Sequence, residues 1–204
     1  AGGVAGSLEV AAAEIAAVVR AWDSGLAAGV DGLSGDHLKE LIKHPRGDPE
    51  AQALLSALAR VTGLFASGLV PAGAARLLGA SRLVALDKPQ GGVRPIAVQS
   101  SLRKLAAGVL WARHSSEVQQ AQLPLQLGAG TPGGTEVIVS LAALHAEAHP
   151  HHVLLACDMA NAYGSIFRRL VLEEVHKRAP ALFPYIACFY GGHGAVGFAE
   201  GGGL

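Results

Sequence analysis

Apolar residues recur at helical spacing over residues 8–22, where Val10, Ile15, Val18, Val19 and Trp22 form one stripe behind Ser7 as a cap. Gly29-Val30-Asp31-Gly32 is turn chemistry. Ser34 then opens a short helix to residue 42, with Leu38, Leu41 and Ile42 inward. A polar loop spans residues 45–49. Residues 50–65 are strongly amphipathic through Leu54, Leu55, Leu58, Val61, Leu64 and Phe65, and Gly68 and Pro71 close that helix. The period then changes. Residues 82–86 and 93–98 read as strands joined by a loop with Pro89 and Gly91-Gly92. This predicts a β-hairpin with Lys88 and Arg94 near the ends of its loop. Helix is expected over 102–118, a Gly-rich loop over 128–134 and an apolar helix over 135–147. Residues 153–157 are apolar without a break and end at Asp158, the pattern of a strand buried on both faces. A last helix is expected over 166–178, and there is no internal repeat.

The chain has 204 residues, half of them hydrophobic and 16% charged, which excludes a disordered composition. It is long enough to bury a core, as one domain or one and a half. Cys157 and Cys188 are too few for a disulfide scaffold and read as reduced, intracellular thiols. No apolar run reaches the ~18 residues of a membrane span. No basic start followed by an apolar block marks a signal peptide. An Ala start and a Gly-rich end lead us to expect part of a longer protein. The net charge of zero hides zoning. Residues 1–75 hold five basic and eight acidic side chains, and residues 114–204 hold four and seven. Between them, Arg76, Arg82, Lys88, Arg94, Arg103, Lys104 and Arg113 face only Asp87, a net of +6. Such a centre is either a solvated face or a patch that neutralises phosphates.

Four constellations carry possible chemistry. Asp158, followed by Met159-Ala160-Asn161-Ala162-Tyr163, ends the apolar run. A carboxylate there is costly unless it is paired, and a divalent metal is a natural partner. The bland alternative is a helix N-cap. In the hairpin, Pro95 holds Arg94 extended, and Lys88 and Arg94 suit phosphate oxygens. A charge-protected edge hairpin is the alternative. Gly128-Ala129-Gly130-Thr131-Pro132-Gly133 imitates a dinucleotide-binding loop. Pro124 in the preceding run, Pro132 in the loop and the late Asp158 count against it. Finally, His145 and His149 lie one helical turn apart, with His151 and His152 beyond Pro150. Without a supporting CxxC or HExxH, a His-rich surface loop is expected, and Cys157 reads as a small hydrophobe.

Taken in order, these segments resemble the reverse transcriptase domain of non-LTR (LINE-like) retrotransposons along essentially the whole chain. GVDGLSGDHLKELI at residues 29–42 resembles the family's N-terminal segment. Residues 80–110, with KPQGGVRPI followed by Arg103-Lys104, resemble its fingers motifs. Residues 123–141 resemble the Gln-and-Gly stretch before the palm, and residues 154–175 the first catalytic palm motif. The resemblance implies an α/β (α+β) fold of reverse transcriptase fingers with a partial palm and a helix-rich N-terminal part. The expected segments are 1–75 (helical), 76–122 (fingers hairpin and helix) and 123–204 (partial palm).

The resemblance also implies an RNA-directed DNA polymerase. Its two Mg²⁺ (or Mn²⁺) ions would be held partly by Asp158 and the main-chain carbonyl of Met159. Lys88 and Arg94 would grip the triphosphate of a dNTP, and Tyr163 would lie under its sugar and exclude a 2′-OH. Arg103, Lys104, Gln126 and Gly128 would lie near the template. Partners would be an RNA template, a DNA primer and dNTPs, without a membrane, in the nucleus. The later palm motifs, a Gly-Gln-Gly type loop and two adjacent aspartates, are not in this sequence. One carboxylate does not build a two-metal site, so the chain is expected to be inactive alone. The rival readings are a non-catalytic nucleic-acid-binding remnant and a dinucleotide-binding oxidoreductase module.

Overall fold

The computed structural model describes residues 6–43, 48–128, 130–159, 162–192 and 196–198, with backbone only at Tyr163 and residues 196–198. The loop expected at 45–49 therefore lies largely outside the described residues, as do Ala129, Ala160 and Asn161. Helices dominate: α1 Ala12–Arg20, α2 Gly35–Lys43, α3 Pro49–Ala66, α4 Ala72–Leu78, α5 Ser101–Gln122, α6 Gly134–Ala148, α7 Ala162–Ser165, α8 Arg168–Arg178 and α9 Phe183–Tyr190. A 3₁₀ turn, Pro180–Leu182, precedes α9. Strands β1 Ser81–Asp87 and β2 Val93–Gln99 pair antiparallel, and β3 Val196–Phe198 adds in parallel to β1, giving the order β2-β1-β3.

Local sequence explains the boundaries. Asp48 caps α3, its carboxylate accepting from the N–H groups of Glu50 and Ala51, and Pro49 sits where a missing N–H costs nothing. At α1 the chain becomes helical later than expected. Ala11 stands at the cap, and Glu14 Oε2 accepts from its N–H at 2.9 Å. Ser34 and His37 bond reciprocally at the start of α2, each main-chain N–H donating to the other's side chain at 3.3 Å.

The main core joins Ile15, Val19, Leu38, Leu55, Ala59, Leu105 and Val109. It therefore unites α1, α2, α3 and α5, and crosses the division expected between residues 75 and 76. A second cluster of Phe65, Ala106 and Phe189 brings α9 against α3 and α5. Two helices within it, α4 and α9, were not anticipated from the pattern.

The strand expected over residues 153–157 is not formed. Val153 and Leu155 are 89% and 84% exposed. A strand needs a neighbour for its N–H and C=O groups, and no described segment pairs with this one. Helix α6 likewise leaves Val137, Ile138, Val139, Leu141 and Leu144 exposed. The residues before the Gly128 loop end α5 and turn at a cis Leu123–Pro124 bond instead of forming a strand. A dinucleotide-binding unit needs a strand on each side of that loop and its helix, and neither is present among the described residues. Among those residues no helix is long and apolar enough to cross a membrane.

Candidate nucleic-acid interface

The hairpin expected from residues 82–98 forms, β1 and β2 pairing antiparallel. Leu86 faces Arg94 and Asp87 faces Val93 across the ladder. Lys88 N donates to Gly92 O at 2.9 Å, and Gly91 N to Lys88 O at 3.0 Å. Gly91 and Gly92 take φ of 87° and 89°, a backbone that L side chains resist, so the glycine pair makes this turn possible. Lys88 and Arg94 flank the turn and are exposed. Neither side chain has an ion-pair or hydrogen-bond partner among the described residues. Phosphate oxygens can therefore reach both without breaking a contact.

The base of the hairpin, by contrast, is fixed from two sides. Where β2 enters α5, Ser100 Oγ donates to Asp31 Oδ2 at 2.7 Å and Ser101 Oγ to the Leu33 carbonyl at 2.5 Å. Both serines are buried. Gly29 lies so close that a Cβ there would stand 2.4 Å from Gln99 O. The Gly29–Gly32 turn thus anchors the corner after β2. Just before β1, Arg103 Nη1 donates to Gly79 O at 3.2 Å. Sequence reasoning gave the turn no such role. The paired Ser100-Ser101 at a strand-to-helix corner was the signal that could have found it.

The basic zone is less uniform than its charge count. Arg103 is only 8% exposed, and its guanidinium lies over the Phe189 ring, 4.9 Å from the centroid. Tyr185 Oη donates to the Arg103 carbonyl at 2.9 Å. Burial pushes the Tyr185 hydroxyl above its usual pKa, the nearby guanidinium partly opposing it. Arg103 therefore ties α4, α5 and α9 together. Arg113 is held in a two-pronged pair with Glu14, both bonds 2.8 Å, and donates also to Glu9 O. Those hydrogen bonds draw the Glu14 carboxyl below its ordinary value. Lys104 is half-buried, while Arg76 is exposed.

Asp158 and Met159 lie exposed on an irregular segment beyond α6. Tyr163 has only its backbone described, in the short helix α7, so its expected place under a sugar lies outside the described residues. Gln126 is exposed, and its Oε1 accepts from Gly128 N at 2.8 Å, bracing the loop locally. The structure brings together Lys88 and Arg94. Among the described residues, no three His, Cys, Asp or Glu side chains, Asp158 included, are arranged to hold a metal ion. A cleft of about 400 Å³ between α4 and α9 is lined by Ala72, Arg76, Gly79, Cys188 and Phe189, among others, and by none of the predicted site residues whose side chains are described.

No family model matches the chain. Over 202 residues, 98% of its length, it is 29% identical to the Retrotransposable element SLACS 132 kDa protein of Trypanosoma brucei gambiense. The chain spans only 16% of that relative's length. This distant likeness, running through every element described above, points to a retroelement origin.

Proposed function

We propose that this chain is the fingers and the start of the palm of a retroelement RNA-directed DNA polymerase, and that it binds template–primer without catalysing extension by itself. The observation that carries the reading is the hairpin, with a braced base and two unpaired cations at its tip. Lys88 and Arg94 supply charge to the phosphates of an incoming nucleotide, and the clamped corner keeps that charge on a fixed path. Fixed cations are what phosphoryl transfer asks of a protein besides its metals. The likeness to a retrotransposable element protein supports the retroelement part of this reading. The exposed apolar side chains of α6 and of residues 153–155 are what a palm without its remaining strands would present.

Asp158 is the metal carboxylate in this reading. Two-metal transfer needs further carboxylates, so no primer extension is expected from this chain with either Mg²⁺ or Mn²⁺. Binding is tested on the 204-residue chain by fluorescence anisotropy with a labelled RNA–DNA hybrid. The Lys88→Glu, Arg94→Glu double variant should bind about tenfold more weakly at low salt, with a shallower salt dependence. Unchanged binding in a folded double variant would remove the hairpin from the hybrid contact, while its nucleotide role is read by the KM for dNTP. In a longer polypeptide that extends primers, Asp158→Ala should abolish extension and Lys88→Ala should raise the KM for dNTP. A longer polypeptide that binds hybrid but never extends would favour the non-catalytic remnant, which the lone Asp158 carboxylate also fits.

A further inference from the structure

The end of α6 gathers three histidines that the proposed polymerase role does not use. Pro150 has no N–H and cannot continue the helix. The chain instead coils through one last bond, His149 N to His145 O at 2.9 Å, and a turn, His152 N to His149 O at 2.9 Å. These two bonds place three imidazoles on one side. His145 Nε2 and His152 Nδ1 face each other at 3.1 Å. The His149 ring stacks on His152 with centroids 4.7 Å apart, and lies 4.6 Å from His145. All three rings are exposed.

We propose that His145, His149 and His152 bind a divalent transition-metal ion such as Zn²⁺. Facing nitrogens at 3.1 Å share one proton, with one ring donating and the other accepting. When the donor ring carries its hydrogen on its other nitrogen instead, both facing nitrogens present lone pairs and an ion can take the proton's place. Nitrogens 3.1 Å apart, each about 2.05 Å from a zinc ion, subtend roughly 100° at it, close to the tetrahedral angle. The facing pair thus already has the bite of two ligands. The third ligand is not yet in place, since no three such side chains of the described residues stand around one point. His149 completes the set by turning its exposed ring about its own side-chain bonds, a motion of the fast kind open to surface residues. Water fills the fourth position. Imidazole selects zinc, copper and nickel over magnesium or calcium, so this site is chemically separate from Asp158.

The test is calorimetric titration of untagged chain with ZnCl₂, with Co²⁺ absorption as a reporter of coordination geometry. One ion per chain is expected. His145→Ala and His152→Ala should each weaken binding by about tenfold or more, as loss of a ligand should cost at least what loss of a ligand's support does. His114→Gln, on α5, should bind as wild type. Zn²⁺ should also raise the Tm of wild type and not of His152→Ala. Absence of one-to-one binding, or equal affinity in wild type and both alanine variants, would overturn the proposal. Circular dichroism of each variant distinguishes ligand loss from loss of fold.

Discussion

Replacing Arg103 separates a structural cation from a nucleic-acid-binding one. Its guanidinium donates to Gly79 O at 3.2 Å, and a bond from a charged donor contributes about 1.5–3 kcal/mol. Its place over Phe189, 4.9 Å from the ring centre and largely out of water, adds about 2 kcal/mol. Against both stands its Nε, buried without a partner, which costs about 1–3 kcal/mol. The favourable contacts win by about 2 kcal/mol. Arg103→Met keeps much of the stem volume and removes all three effects, so it should destabilise by about 2 kcal/mol. Arg103→Ala also empties the stem's place, and the loss should grow to about 3–4 kcal/mol. Urea unfolding followed by far-UV circular dichroism reads this as a lower midpoint at unchanged slope. Affinity for the RNA–DNA hybrid should stay within about twofold, because a buried guanidinium releases no counterions from phosphate. An Arg103→Met protein as stable as wild type but weaker on the hybrid would refute the argument and return Arg103 to the template.

Two further outcomes follow from the same geometry. Gly29→Ala drives a methyl group to 2.4 Å from Gln99 O, a main-chain atom that cannot swing away. It should cost about 1–3 kcal/mol in urea unfolding and speed amide exchange in β2; wild-type exchange there would mean that the corner does not depend on this approach. The Glu14 carboxyl is held below its ordinary 4.5 by hydrogen bonds from Arg113 first and from the Ala11 N–H second. Its folded-state pKa is thus depressed, so its contribution is present above about pH 4.5 and lost as pH falls through the lowered value. The pair is partly exposed, so that contribution is under about 1 kcal/mol. Glu14→Gln should flatten the acid limb of the stability–pH curve, and an unchanged limb would count against the pair.

The hairpin was legible because its signals are local. Two apolar runs, with Pro89 and Gly91-Gly92 between them, specify the turn without help from the rest of the chain. Helix α3 was legible for the same reason, through its apolar spacing. The strand over residues 153–157 was inferred from burial that only neighbouring strands can supply, and no described segment supplies it. Helices α4 and α9 were missed because they are short, with seven and eight residues, and Pro71 was read only as the close of α3. Pro184 in fact sits in the first turn of α9, where its missing N–H is tolerated. At the site, residue type alone could not tell Arg94 from Arg103. Both belong to the same basic zone, and only packing against Phe189 and Gly79 removes the second from solvent.

That distinction changes what the basic zone can do. Seven cations against Asp87 make +6 on paper. Arg103 is buried and Arg113 is held by Glu14, which leaves Arg76, Arg82, Lys88, Arg94 and Lys104 against Asp87, a net of +4. Arg82 and Lys104 are half-buried, so the freest cations are Arg76 on α4 and the two at the hairpin turn. The two withdrawn arginines are not idle. Arg103 fixes the chain just before β1, and Arg113 ties α5 to α1. With Asp31 and Leu33 holding Ser100 and Ser101, α5 is fastened to α1, to the Gly29–Gly32 turn and to α4. The strands of the hairpin meet α5 within this fastened region. Cations inside the body hold the arm, and cations at its tip stay exposed to solvent. A sequence-level charge count adds these two groups together, although they serve opposite ends of the same lever.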